Sequence, residues 1–376
     1  MKNKKEKKKS NRHRNIYLFI FGCTCGIAGL IGGVSAAASG NKANILLTTL
    51  IFLLSYFIHI IMHEFGHMVF GLATGYKFSS FRIGNIALIK QNGRLRLKSY
   101  SLAGTLGQCL MTPPDMKDGK IPYALYNLGG VFMNILISAT ATLLYCVCGF
   151  SVSPSSAVII FVFMGFAIAA LNGIPLSPGA VNNDGYNTLE LKRSPKALRS
   201  FRIQMKINSL LVEGVRVKDM PEEWFSVPEK EDMNNSLVAT LGVFACSRLM
   251  DMQDFDAAEK LTEEMIATDS AIVGVHRQLM ICDIIYCKAI RGASAEEIAS
   301  LLDKAQKNFM KSMKNFPSVI RTEYTVALLS EKNIAKAKDK LADFEKCAKK
   351  YPYPADIEGE RELIETANKM LSEAGK

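Results

Sequence analysis

"FIHIIMHEFGHMVFG", residues 57–71, sets three histidines and a glutamate inside an apolar run. The run extends over residues 45–73. That is longer than the roughly 20 residues a helix needs to cross about 30 Å of hydrocarbon. Ionisable side chains are costly at that depth and mark function when they occur there. His63 and His67 are four apart, so a helix presents both imidazoles on one face, one turn apart, able to grip one metal ion. Glu64 follows His63 directly, placed to take a proton from an attacking water and pass it to a leaving amine. The structural alternative is a buried Glu–His pair that joins helices.

Two histidines do not complete a zinc site, which takes a third protein ligand and leaves a fourth position open. His59 lies one turn before His63, but one straight helix cannot bring three imidazoles around a tetrahedral ion. It reads as a supporting partner or a core residue. A better candidate follows the last apolar run, in "ALNGIPLSPGAVNNDGYNTLEL", residues 170–191, where Pro175, Pro178 and Gly179 break the helix ahead of Asp184. Asp115, Asp118 and Glu190 are the competing acids.

Working outward, four apolar segments stand out, at 16–38, 45–73, 123–150 and 155–174, each long enough to span a bilayer. The first 14 residues carry eight Lys/Arg against one Glu, a positive-inside flank rather than a nucleic-acid arm. The stretch 76–122 is also basic, as is the chain after residue 191, while the loops near 39–44 and 150–156 are poor in charge. One topology satisfies all of these: four spans with both termini cytoplasmic in the cell membrane. Within the second cytoplasmic stretch, "FSSFRIGNIALIKQNGRLRLKSYSL" alternates around Asn92-Gly93, a hairpin signal. A free strand edge there would suit an extended peptide, or the sheet merely caps the membrane core.

The last 180 residues change character, with helical patterns in "MDMQDFDAAEKLTEEMIA", "GASAEEIASLLDKAQKNF" and "EKNIAKAKDKLADFEKCAKKYP". Their spacing of about 40 residues suits stacked helical hairpins of tetratricopeptide type, or a plain helical bundle. Such arrays usually bind proteins, so a protein partner is expected there. The nine cysteines contain no C-x-x-C pair, so neither a zinc ribbon nor a thioredoxin motif is present. The organisation expected is a basic N-terminus (1–15), a membrane metal domain (16–190), a linker (191–235) and a helical cytoplasmic domain (236–376).

The motifs together resemble those of the site-2 protease family of intramembrane zinc metalloproteases. The shared elements are "HEFGH" at 63–67, "GGVFMN" at 129–134, and Asn172-x-x-Pro175 followed by Asp184-Gly185. The resemblance covers residues 43–190. It implies zinc held by His63, His67 and Asp184, with Glu64 as general base. Gly130 and Asn134 match the family's Gly-x-x-x-Asn element, which implies that Asn134 lies near the catalytic water or the substrate backbone. Small residues at these positions equally let membrane helices pack closely. It also implies a cytoplasm-side sheet that receives substrate. The Asn172–Asp184 interval is longer than the family's, and "NNDGY" stands in place of "PLDGG". The implied activity is hydrolysis of a peptide bond in or beside a transmembrane segment of a membrane protein or peptide precursor. Two other readings remain: a non-catalytic membrane scaffold that recruits partners through its helical tail, and a membrane zinc peptidase whose third ligand is Glu190.

Overall fold

The computed structural model describes residues 15–16, 18–27, 29–30, 34, 43–102, 105–148, 152–177 and 182–374. Among the described residues three helices are long and apolar enough to cross a membrane: α1 (Ala43–Ala73), α2 (Tyr123–Cys148) and α3 (Val152–Gly173). Of the fourth expected span, 16–38, a short apolar helix Leu18–Ile27 is described. Residues 17, 28, 31–33 and 35–38 of that run lie outside the described residues, as do the basic segment 1–14 and the helix-breaking pair Pro178 and Gly179. Leu46, Leu50, Leu143 and Val147 point outward and are exposed. A face that apolar suits a lipid or protein neighbour better than water.

The inner face of α1 is different. Ser55, His59, His63 and His67, each four apart, form a buried polar stripe. Across from it, α2 carries Gly130, Asn134 and Ser138 at the same spacing, also buried. The helices meet at a reciprocal glycine contact. A Cβ on Gly66 would lie 2.3 Å from the Gly129 carbonyl oxygen, and one on Gly129 would lie 2.6 Å from that of Gly66. Only glycine permits backbones that close, as in other small-residue membrane crossings. After α3, the chain turns into α4 (Asp184–Arg193).

The described chain forms two compact units. One gathers α1–α4 with Gly107–Cys109 and the loop from Pro114; the other gathers Phe78–Leu106, Leu110–Pro113 and everything from Ser194. Strands β1 (Lys77–Ile83), β2 (Ile86–Gln91), β3 (Arg94–Ser99) and β4 (Gly107–Thr112) form an open sheet in the order β3-β2-β1-β4. The expected hairpin is β2–β3. Gln91 pairs with Arg94, and Asn92 and Gly93 take φ of 50° and 74°, as a two-residue primed turn requires.

The second unit is otherwise helical, with α5 (Pro195–Glu213), α6 (Ser236–Asp251), α7 (Phe255–Ala267), α8 (Gly274–Ile290), α9 (Ala295–Leu301), α10 (Lys304–Ser312), α11 (Pro317–Thr325), α12 (Ile334–Lys350) and α13 (Pro354–Ala374). The three segments singled out in the sequence become α7, α9–α10 and α12. The second splits at Asp303, whose side chain caps α10 by accepting from the Gln306 amide. Residues 191–235 carry α5 and three short 3₁₀ turns. Ile203, Ile207 and Leu211 of α5 join Ala87 and Ile89 of β2 and Tyr351 and Tyr353 in one apolar core. A buried Arg321 sits between Asp283 (2.6 Å) and Glu360 (2.7 Å), with its guanidinium 4.6 Å from the Tyr286 ring centre.

Candidate metal centre

α1 carries His63 and His67 one turn apart, and the start of α4 carries Asp184 to them. His63 Nε2 lies 2.9 Å from Asp184 Oδ2, His67 Nε2 lies 3.4 Å from the same oxygen, and the two Nε2 atoms are 3.2 Å apart. Among the described residues these three form the group whose ligand atoms converge; Asp115, Asp118 and Glu190 do not belong to it. Ligands at about 2.0–2.2 Å from a tetrahedral metal stand roughly 3.3–3.6 Å apart. The observed triangle is close to that, contracted along the His63–His67 edge and more so along the His63–Asp184 edge.

The donor chemistry fits the same group. His67 Nδ1 donates to the Tyr126 carbonyl at 2.7 Å, so the lone pair of a neutral ring is on Nε2 and faces the other two atoms. Electron pairs aimed at one point repel unless a cation, metal or proton, sits among them. Burial works to raise the Asp184 pKa, but with a proton in that place the charge on His67 and the hydrogen bonds from His63 and His67 outweigh it and hold the carboxyl well below its usual range. It stays an anion, as a ligand must.

Asp184 is delivered by its neighbour. Asn183 Oδ1 accepts from the Tyr186 amide (2.9 Å), capping α4, and from the Leu176 amide (3.0 Å). Asn183 Nδ2 donates to the Leu171 (2.7 Å) and Ile174 (2.6 Å) carbonyls at the end of α3. One side chain therefore satisfies backbone groups at the end of one helix and the start of the next. Asn183 was not singled out in the sequence. Its signal was an N-cap residue type directly ahead of Asp-Gly.

Glu64 is buried on α1, its carboxylate against the first residue of β4: a Cβ on Gly107 would lie 2.3 Å from Glu64 Oε1. Gly130 leaves room for the His63 ring, since a Cβ there would stand 2.5 Å from its Cε1 and Nδ1. Tyr126 helps to hold this wall. Its hydroxyl donates to the Cys109 carbonyl at 2.7 Å and its ring stacks on Tyr76 at 4.7 Å. Asn134 is fully buried, with its amide between two imidazoles: Nδ2 is 3.2 Å from His63 Nδ1, and Oδ1 is 3.3 Å from His59 Nδ1. His59 Nε2 in turn lies 2.9 Å from the Phe161 carbonyl of α3.

Compared with known proteins, the chain finds no matching protein-family model, no similar curated sequence and no similar solved structure. Its functional reading therefore rests on the site. α1, apolar and long enough to span a membrane, and the short helix α4 together hold a His-His-Asp cluster that can chelate a metal ion.

Proposed function

We propose that the chain is an intramembrane zinc metalloprotease of the site-2 type, hydrolysing a peptide bond in or next to a transmembrane segment near the cytoplasmic leaflet. The observation that carries this reading is the His63–His67–Asp184 cluster formed by the membrane-length helix α1 and the start of α4, with Glu64 on the same helix as both histidines. In this reading His63, His67 and Asp184 hold zinc. The ion supplies a polarised scissile carbonyl and a water of near-neutral pKa.

Glu64 does the proton work. Its carboxylate takes the proton from the attacking water as the carbon–oxygen bond forms, then returns it to the leaving nitrogen as the carbon–nitrogen bond breaks. The substrate must be unwound at that point, because a regular helix engages its own carbonyls. The sheet offers an edge for such an extended segment, and the C-terminal helices offer a surface for a protein partner. The placement is multi-pass in the cell membrane with both termini cytoplasmic, no nucleic acid being involved.

The test uses the full chain in detergent with a mixture of transmembrane peptides containing Gly or Pro, products being identified by mass spectrometry. The wild type is expected to cleave. Glu64→Gln should lose roughly 10²–10⁴-fold in rate while its zinc content stays that of the wild type. Cleavage at the wild-type rate by Glu64→Gln would overturn the general-base assignment.

A further inference from the structure

His59, the histidine of α1 outside the metal cluster, belongs to a chain of polar contacts with a definite direction. It runs Phe161 carbonyl, His59, Asn134, His63, across three helices, at 2.9, 3.3 and 3.2 Å. A carbonyl can only accept, so His59 Nε2 carries a hydrogen. In a neutral ring Nδ1 is then an acceptor and needs a donor. His59 is fully buried in a membrane-length helix, where a second proton would leave a charge without a carboxylate among its hydrogen-bond partners.

The Asn134 amide resolves this by its orientation. Its oxygen and nitrogen exchange places by a half-turn, so the partners decide which faces which. With nitrogen toward His59, Asn134 donates to Nδ1 and every group in the chain is satisfied. The amide oxygen then faces His63 Nδ1 and accepts its hydrogen. That leaves the lone pair of His63 on Nε2, the atom that faces Asp184 and His67. With the opposite orientation, the amide donates to His63 Nδ1. The ring hydrogen moves to Nε2, and the electron pair a metal needs is no longer available.

We propose that His59 is a positioning residue for the metal centre: anchored on the Phe161 carbonyl, it turns the Asn134 amide so that its oxygen holds His63 in the metal-binding tautomer. This rests on the reading that His63 is a metal ligand. The packing agrees with a built arrangement. The His59 and Phe161 rings lie 4.4 Å apart, and a Cβ on Gly165 would stand 2.3 Å from His59 Cε1, so α3 carries glycine where the ring passes. Partners of this kind, behind a ligating histidine, are worth about 10–100-fold in metal affinity.

The test is zinc affinity of the full chain in detergent, by competition with a chromogenic chelator, together with the absorption spectrum of the cobalt form. His59→Phe keeps a ring of similar size and removes both hydrogen bonds. It should weaken zinc by about 10–100-fold and dim the tetrahedral cobalt bands. His59→Gln can donate to Phe161 and accept from Asn134, and should restore most of the affinity. In an Asn134→Asp background either side-chain oxygen can accept from His63, so adding His59→Phe should cost little.

A structural role for His59 would instead give the same loss in both backgrounds, and that result would overturn the proposal. So would a His59→Phe protein that binds zinc as the wild type does. Nitrogen-15 NMR of the zinc-loaded wild type, which has five histidines in all, reads the tautomers without mutation. His59 should be protonated at Nε2 and His63 at Nδ1; the reverse assignment would sink the relay. Zinc loss in His63→Ala alongside full binding in His59→Phe would reject the relay alone. A wild type that binds no metal would reject both the relay and the metal reading beneath it.

Discussion

Gly130→Ala adds one methyl group and should disable the metal centre. The new Cβ would stand 2.5 Å from Cε1 and Nδ1 of His63 and 2.6 Å from Nε2. Carbon contacts settle at about 3.5–4.0 Å, so the ring has to retreat by roughly 1 Å. It has little freedom to do so, because Asn134 lies against Nδ1 and the Gly66–Gly129 contact holds the two helices together. Metal–ligand distances tolerate only about 0.2 Å, so that displacement removes one of three ligands. The loss should be at least that of a missing supporting residue, roughly 10–100-fold in zinc affinity. The assay is zinc per chain and chelator competition on detergent-purified protein. Gly173→Ala serves as the comparison, since the nearest atoms to its Cβ would be those of the Val131 side chain, from 3.1 Å outward, and no metal-site residue. A folded Gly130→Ala protein that binds zinc as tightly as the wild type would refute the placement of His63.

Asn183→Ala should weaken metal binding without touching a ligand, because four backbone hydrogen bonds at the α3–α4 turn go with it. Asn183→Asp, which keeps the cap and loses two donors, should fall between Asn183→Ala and wild type in the same zinc competition assay. In the second unit, burial first, and then Glu360 and Asp251, raise the Asp356 carboxyl from 3.8 to about 7. A carboxyl raised on folding adds stability that is full below the unfolded value and is lost as pH rises through about 7. Asp356→Asn should therefore stabilise the protein at pH 8 by about 1–2 kcal/mol, under a ceiling of roughly 4, and have little effect near pH 4. Fluorescence of Trp224, the single tryptophan, which packs on the same apolar core as Tyr351 and Tyr353, follows that unfolding; an equal effect at both pH values would contradict the assignment.

Much of the site was readable because its signals are local. The i, i+4 spacing of His63 and His67 needs only a helix, and Asn92-Gly93 needs only a turn. Asp184 was reachable because a Pro-containing break after an apolar run marks where the helix ends and the chain can turn back. The remaining parts depend on which backbones approach each other. Nothing local marks Gly107 as the neighbour of Glu64, or Gly66 and Gly129 as a crossing point. The spacing that argued against His59 as a third ligand says nothing of its contact with α3. β4 had no hairpin partner to announce it, since its neighbour β1 lies further back in the chain, beyond β2 and β3.

The central claim is that His63, His67 and Asp184 form a three-ligand metal site in a membrane helix bundle. The direct measurement is metal per chain in detergent-purified wild type, His67→Ala and Asp184→Ala. The prediction is about one zinc in the wild type and clear loss in both variants. A folded wild type without metal would contradict the claim, and zinc retained in Asp184→Ala would move the third ligand elsewhere, with Glu190 the next acid to replace.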